Sequence, residues 1–120
     1  MSDVLLDSDV FIDHLRGAAR LVADDGTAFS SVTRCELFAG RRADEDTINL
    51  LLAPFAELPV DRWVAESGGR LRRQHRLATP DALIAATALL HDLVLVTRNA
   101  KHFAGIEGLR VRQPAGEPGQ

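Results

Sequence analysis

"LLDSDVFID" (residues 5–13) joins an apolar run to three carboxylates, Asp7, Asp9 and Asp13. A carboxylate without a partner is expensive to bury. These acids therefore either cap and solvate the start of a helix or surround something positive. Val4, Leu5 and Leu6 predict a short buried strand over 4–7. Val10, Ile12 and Leu15, near helical spacing, predict a helix over 9–16 that Gly17 ends. Ser8 or Asp9 suits the N-cap of that helix.

The same alternation runs along the chain. Strands are expected over 27–31, 57–60, 93–97 and 109–112, and helices over 32–42, 46–55, 61–75 and 79–91. Strands alternating with helices imply an α/β domain with a short, mainly parallel sheet flanked by helices. Such sheets place their chemistry at the carboxyl ends of strands, where strand order reverses. Asp7 falls at one such end. Thr97, Arg98 and Asn99 fall at another, after "LVLV". With 120 residues, 46% apolar and 26% charged, the composition suits one globular domain. That domain is expected over 1–113, with the tail 114–120, "PAGEPGQ", disordered. No apolar run reaches the roughly 18 residues of a membrane span, and no basic-then-apolar signal opens the chain. Cys35 is the only cysteine, which rules out an internal disulfide and fits a reducing cytoplasm. A net charge of −3 does not advertise nucleic acid, and Lys101 is the only lysine beside many arginines.

Two further stretches carry acids. In "TPDALIAATALL" (79–90), Thr79 suits an N-cap and Pro80 the first helical position. Asp81 then sits in the first turn, where the helix dipole favours it by roughly 0.3–1 kcal/mol. The rest of that helix is apolar nearly all round, so it is expected to be buried, with Asp81 close to the core. In "SSVTRCELFAG" (30–40), Thr33 and Glu36 have capping-box spacing. If the helix instead starts at Ser30 or Ser31, Glu36 lies in its second turn beside Cys35, Leu37 and Phe38 and needs a partner. Cys35 reads as a small core residue. His14, His75, His91 and His102 show no paired ligand spacing and read as structural or surface residues.

Taken in order, these runs resemble the PIN domain, in particular the VapC-type toxin ribonucleases of toxin–antitoxin pairs. The family's "LLDTSVLID"-like opening compares with "LLDSDVFID", its "SSVTxxEL"-like run with "SSVTRCEL", its "xDALIAATA"-like helix with "PDALIAATA", and its "LVTRNxxHF"-like end with "LVTRNAKHF". Carried over by position, the acids are Asp7, Glu36 and Asp81. The fourth position, often Asp in the family, is Asn99. The resemblance implies a metal-dependent ribonuclease with Asp7, Glu36, Asp81 and Asn99 in its catalytic site. Asp7, Asp81 and Glu36 are the expected metal ligands, with Asp9 and Thr97 as outer-shell residues and Arg34, Arg98 and Lys101 as ligands of RNA phosphates. Arg41, Arg42, Arg72 and Arg73 are weaker phosphate candidates. It implies products with 5′-phosphate and 3′-hydroxyl ends, a small antitoxin partner and a homodimer. Hard oxygen donors without a cysteine or histidine set suit Mg²⁺, with Mn²⁺ as a substitute.

Two other readings compete. A degenerate PIN domain acting only as a binding module has Asn99 in its favour. "DSDVF" also fits the opening of haloacid-dehalogenase-like phosphatases. That class needs a later lysine and a second acidic pair, and "TRNAKHF" supplies no such pair.

Overall fold

The computed structural model describes residues 3–17, 21 and 26–114. From residue 115 onward, the expected tail lies outside the described residues. In chain order the elements are β1 (Val4–Leu6), α1 (Ser8–Leu15), β2 (Thr27–Ser30), α2 (Ser31–Phe38), α3 (Glu45–Leu52), β3 (Ala56–Leu58), α4 (Arg62–Gln74), α5 (Thr79–Leu90), β4 (Val94–Val96), a 3-10 turn (Ala100–Phe103) and β5 (Val111–Arg112).

The strands form one sheet in the order β3-β2-β1-β4-β5, every pair parallel. The chain steps outward from β1 to β2 and β3, then crosses back to lay β4 on the other side of β1. Strand order thus reverses at β1, and the crevice of such a sheet lies between the carboxyl ends of β1 and β4. Both sheet faces are covered. Leu5, Ala28 and Leu95 enter one core with Val64 and Leu71 of α4 and Ile84 of α5. Their neighbours Leu6, Phe29 and Val96 enter the other with Val10, Phe11, Leu37, Ile48 and Leu52. The period-two alternation of strand side chains makes both sets apolar and gives the continuous hydrophobic runs of a doubly covered parallel sheet. Phe11 anchors the second core, meeting the rings of Phe29 and Phe55 edge-on at 5.7 and 5.4 Å. On the first face α4 passes close to α5: a Cβ at Gly68 would stand 2.9 Å from Leu83 Cδ2, whereas one at Gly69 would meet nothing within 4 Å.

Several boundaries differ from expectation. The N-cap of α1 is Asp7 rather than Ser8 or Asp9. Ser30 caps α2 by accepting from Val32 N–H, so Thr33 is a buried residue of the helix and not its cap. The buried positions of α2 are Thr33 and Leu37, one turn apart. Cys35 lies on the opposite face and is exposed, which corrects its expected place in the core. Glu36 is likewise exposed rather than enclosed by apolar neighbours. The N-cap of α5 is Ala78, without a side-chain bond, and Thr79 is already helical. Pro80 and burial of the helix set that start without a polar cap. Among the described residues no helix is long and apolar enough to cross a membrane.

Candidate functional site

The end of β1 is tied to the end of β4 through Asp7. Its backbone N–H donates to Val96 O at 2.9 Å. Its carboxylate caps α1, with Oδ1 accepting from Ser8 N–H at 2.8 Å and Oδ2 from the Thr97 hydroxyl at 2.8 Å. Asp7 is only 5% exposed. Burial, opposed by those hydrogen bonds and reinforced by the charges of Asp9 and Asp81, pushes its carboxyl from 3.8 up to about 6.

Asp9 follows in the first turn of α1. Its Oδ2 accepts from Arg98 N–H at 3.1 Å and Asn99 Nδ2 at 3.1 Å, and stands 3.2 Å from the Thr97 hydroxyl. That hydroxyl has one proton, and Asp7 lies closer to it. Thr97 also accepts from Asn99 N–H at 3.0 Å. Asp9 Oδ1 is buried and has no hydrogen-bond partner. Burial raises the Asp9 carboxyl as well. Asp13, one helical turn on, accepts from Arg98 Nη1 through both oxygens, at 2.6 and 2.8 Å.

Glu36 reaches this junction from α2. Ser8 Oγ donates to Glu36 Oε1 at 2.5 Å. With its proton so used, the 3.0 Å contact between the Ser8 and Thr33 hydroxyls has Thr33 as donor. Two buried hydroxyls thus hold an exposed carboxylate. Ser8 and Thr33 lie inside the motif runs, but their link spans 25 residues and no local pattern signals it. Asp81 opens α5 with its side chain 32% exposed, its Oδ2 3.9 Å from His102 Nδ1. Burial raises its carboxyl, and its charge is felt at Asp7.

The structure therefore joins Asp7, Asp9, Thr97 and Asn99 directly, Glu36 through Ser8, and Asp81 through its field. Among the described residues no three acid, histidine or cysteine side chains already stand as a metal cage. The donor set is nonetheless all oxygen. One buried oxygen lacks any donor, and the nearest acid resists ionising. These residues fit a hard divalent cation. Of the expected phosphate ligands, Arg34 is engaged elsewhere: Nε and Nη2 donate to Glu57 Oε1 at 3.0 and 2.7 Å, and Nη1 to Asn49 at 2.6 Å. Those contacts hold the Glu57 carboxyl below its usual value. In this structure its guanidinium is therefore committed to Glu57 and Asn49. Arg98 is paired with Asp13. Lys101 is exposed on the 3-10 turn.

The PIN domain family matches residues 4–109. The chain belongs to that family. Ribonuclease VapC10 of Mycobacterium tuberculosis is 43% identical to this PIN domain over 120 residues, covering 89% of this chain and 90% of the relative. Ribonuclease VapC19 of the same organism is 36% identical over 113 residues, covering 82% and 90%. A solved toxin–antitoxin complex from Klebsiella pneumoniae holds a chain that superposes on this one with a TM-score of 0.80 at 34% identity, covering 96% of this chain and all of that one. The parallel sheet flanked by helices is thus the PIN-like architecture, and the phosphatase reading has no support.

Proposed function

We propose that this PIN domain is a magnesium-dependent endoribonuclease, with Mn²⁺ as a substitute, and the toxin of a toxin–antitoxin pair. The observation that carries this reading is the buried Asp7 and half-buried Asp9 sharing one Thr97 hydroxyl at the strand-order reversal, in a chain 43% identical to a relative named as a ribonuclease. Asp7, Asp81 and Glu36 would hold the cation. Bound there, it supplies positive charge that lowers the pKa of a water and offsets charge growing on the phosphoryl oxygens.

The chain's own groups do the rest. Thr97 and Asn99 fix the directions of Asp7 and Asp9. Glu36, exposed but tethered by Ser8, orients the attacking water for in-line displacement at phosphorus. Arg98, held by Asp13, and Lys101 steady the RNA backbone. The antitoxin partner covers the acids with a basic side chain, which the negative charge of Asp7, Glu36 and Asp81 favours, and a second copy of the chain completes a homodimer.

The test is incubation of the protein with total RNA in magnesium and in chelator, with mapping of the new ends. Cleavage in magnesium alone, leaving 5′-phosphate and 3′-hydroxyl ends and lost in Asp7→Asn and Glu36→Gln, is expected. Cleavage that persists in chelator sinks the metal-dependent reading. RNA bound but left whole by the intact protein favours the binding-module reading, for which the neutral Asn99 speaks.

A further inference from the structure

We propose that Asp9 supplies the fourth carboxylate of the cation site and that Asn99 serves to hold it there. This rests on the cation-dependent reading above and assigns within it a charge that β4 does not provide.

The position after β4 carries a neutral amide. Asn99 does not stand apart from the acids: its Nδ2 donates to Asp9 Oδ2 at 3.1 Å. A carboxylate at residue 99 would set oxygen against oxygen there. An amide gives one donor and one acceptor across the same gap, so acid at 9 and amide at 99 are complementary. The bonding of Asp9 is also lopsided. Arg98 N–H, Asn99 Nδ2 and the nearby Thr97 hydroxyl all converge on Oδ2. Oδ1 is buried and has no donor. A carboxylate placed only to favour the helix dipole would keep both oxygens in water. One oxygen anchored and the other buried without a partner is the arrangement a cation ligand needs, and Thr97 puts that carboxylate beside Asp7. A hard divalent cation, Mg²⁺ or Mn²⁺, is the ligand class for such an oxygen.

The experiment compares Mn²⁺ binding by titration calorimetry in the parent, Asp9→Asn, Asn99→Asp and the double variant Asp9→Asn/Asn99→Asp. Melting of each in chelator is measured alongside. Asp9→Asn is expected to weaken Mn²⁺ by about tenfold or more, because one ligand charge is removed. Asn99→Asp alone, with two acids face to face, is expected to melt below the parent in chelator. The double variant exchanges acid and amide, and is expected to recover most of the affinity that Asp9→Asn loses. Asp9→Ser, which also suits the first turn of a helix, should reproduce the loss independently of how asparagine is tolerated. If the parent binds Mn²⁺ and cuts RNA while Asp9→Asn binds equally well, or the double variant stays as weak as Asp9→Asn, the assignment of Asp9 is overturned and the cation-dependent reading stands. If the parent neither binds Mn²⁺ nor cuts RNA, that reading falls and takes the assignment with it.

Discussion

Burial strips water from the Asp7 carboxylate, and the hydrogen bond it accepts from Thr97 offsets only part of that loss. Its carboxyl is raised from 3.8 to about 6, chiefly by burial. The folded protein therefore binds this proton more tightly than the unfolded chain. The resulting stability is full below the unfolded value and is lost as pH rises through the folded one. Asp9 and Asp81 are raised too and act in the same direction. In chelator, acidification from pH 7.5 to 5 is expected to raise the melting temperature, with Asp7 adding about 1.4 kcal/mol of stability over this window and the rest only as pH falls towards 3.8. Magnesium competes with the proton for the same oxygens, so it should flatten or invert the trend. A metal-free fold that loses stability over this window would mean that Asp7 is ionised at little cost. Ser8 gives a second prediction at this scale. Ser8→Ala removes the donor to Glu36 and leaves the buried Thr33 hydroxyl without its acceptor. Stability should fall by about 1–3 kcal/mol. RNA cleavage should fall about tenfold or more, since Glu36 loses its placement. Unchanged cleavage at equal folding would show that Glu36 acts without Ser8.

Elements were legible where the pattern is local, and their ends were not where a distant residue decides them. Leu5 and Leu6, or Leu95 and Val96, announce buried strands because a doubly covered sheet needs apolar residues on both faces. The apolar run of α5 announces a buried helix in the same way. The Thr33–Glu36 capping box was a fair local alternative, but the Ser30 side chain makes the cap. Thr33 then turns inward to Ser8, and Glu36 outward. Arg34 sits in a site motif, yet its partners Glu57 and Asn49 are 23 and 15 residues away, beyond any local spacing. Asp7, Asp81 and Asn99 could be placed beforehand because strand ends and helix starts are local signals. The link between Asn99 and Asp9 could not, because it spans 90 residues. The α4–α5 pair supplies a test of packing at this scale. Gly69→Ala, with open space around its Cβ, should stabilise the protein by about 0.5–1 kcal/mol through helix propensity. Gly68→Val, one residue earlier, should destabilise by about 1–3 kcal/mol, because its branches meet Leu83 and the backbone of Ala82. Thermal melting of both variants checks the pair. Equal effects would mean that α4 does not sit as closely on α5 as described.

For the whole molecule, the central position of β1 couples stability to the site. Leu5 is fully buried in one core, in a strand paired on both sides, two residues before Asp7. Leu52 is buried in the other core, on α3. Each Leu→Ala change should cost about 2–5 kcal/mol, a large share of a total near 5–15 kcal/mol. Only Leu5→Ala should also weaken Mn²⁺ binding under conditions where both variants remain folded. Equal loss of metal affinity in both would point to general loosening rather than to β1. The distance along the chain between the parts of the site has a consequence for its making. Asp7 meets Thr97 across 90 residues, and β4, which flanks β1 on the side away from β2 and β3, follows both of them in the chain. A chain emerging from a ribosome exposes Asp7 and Asp9 early, but Thr97 and Asn99, which fix them, follow β4, the later of the two strands that build the crevice. On the proposed function, the chain would then stay inert towards nearby RNA during its own synthesis until residues 94–99 are free to dock.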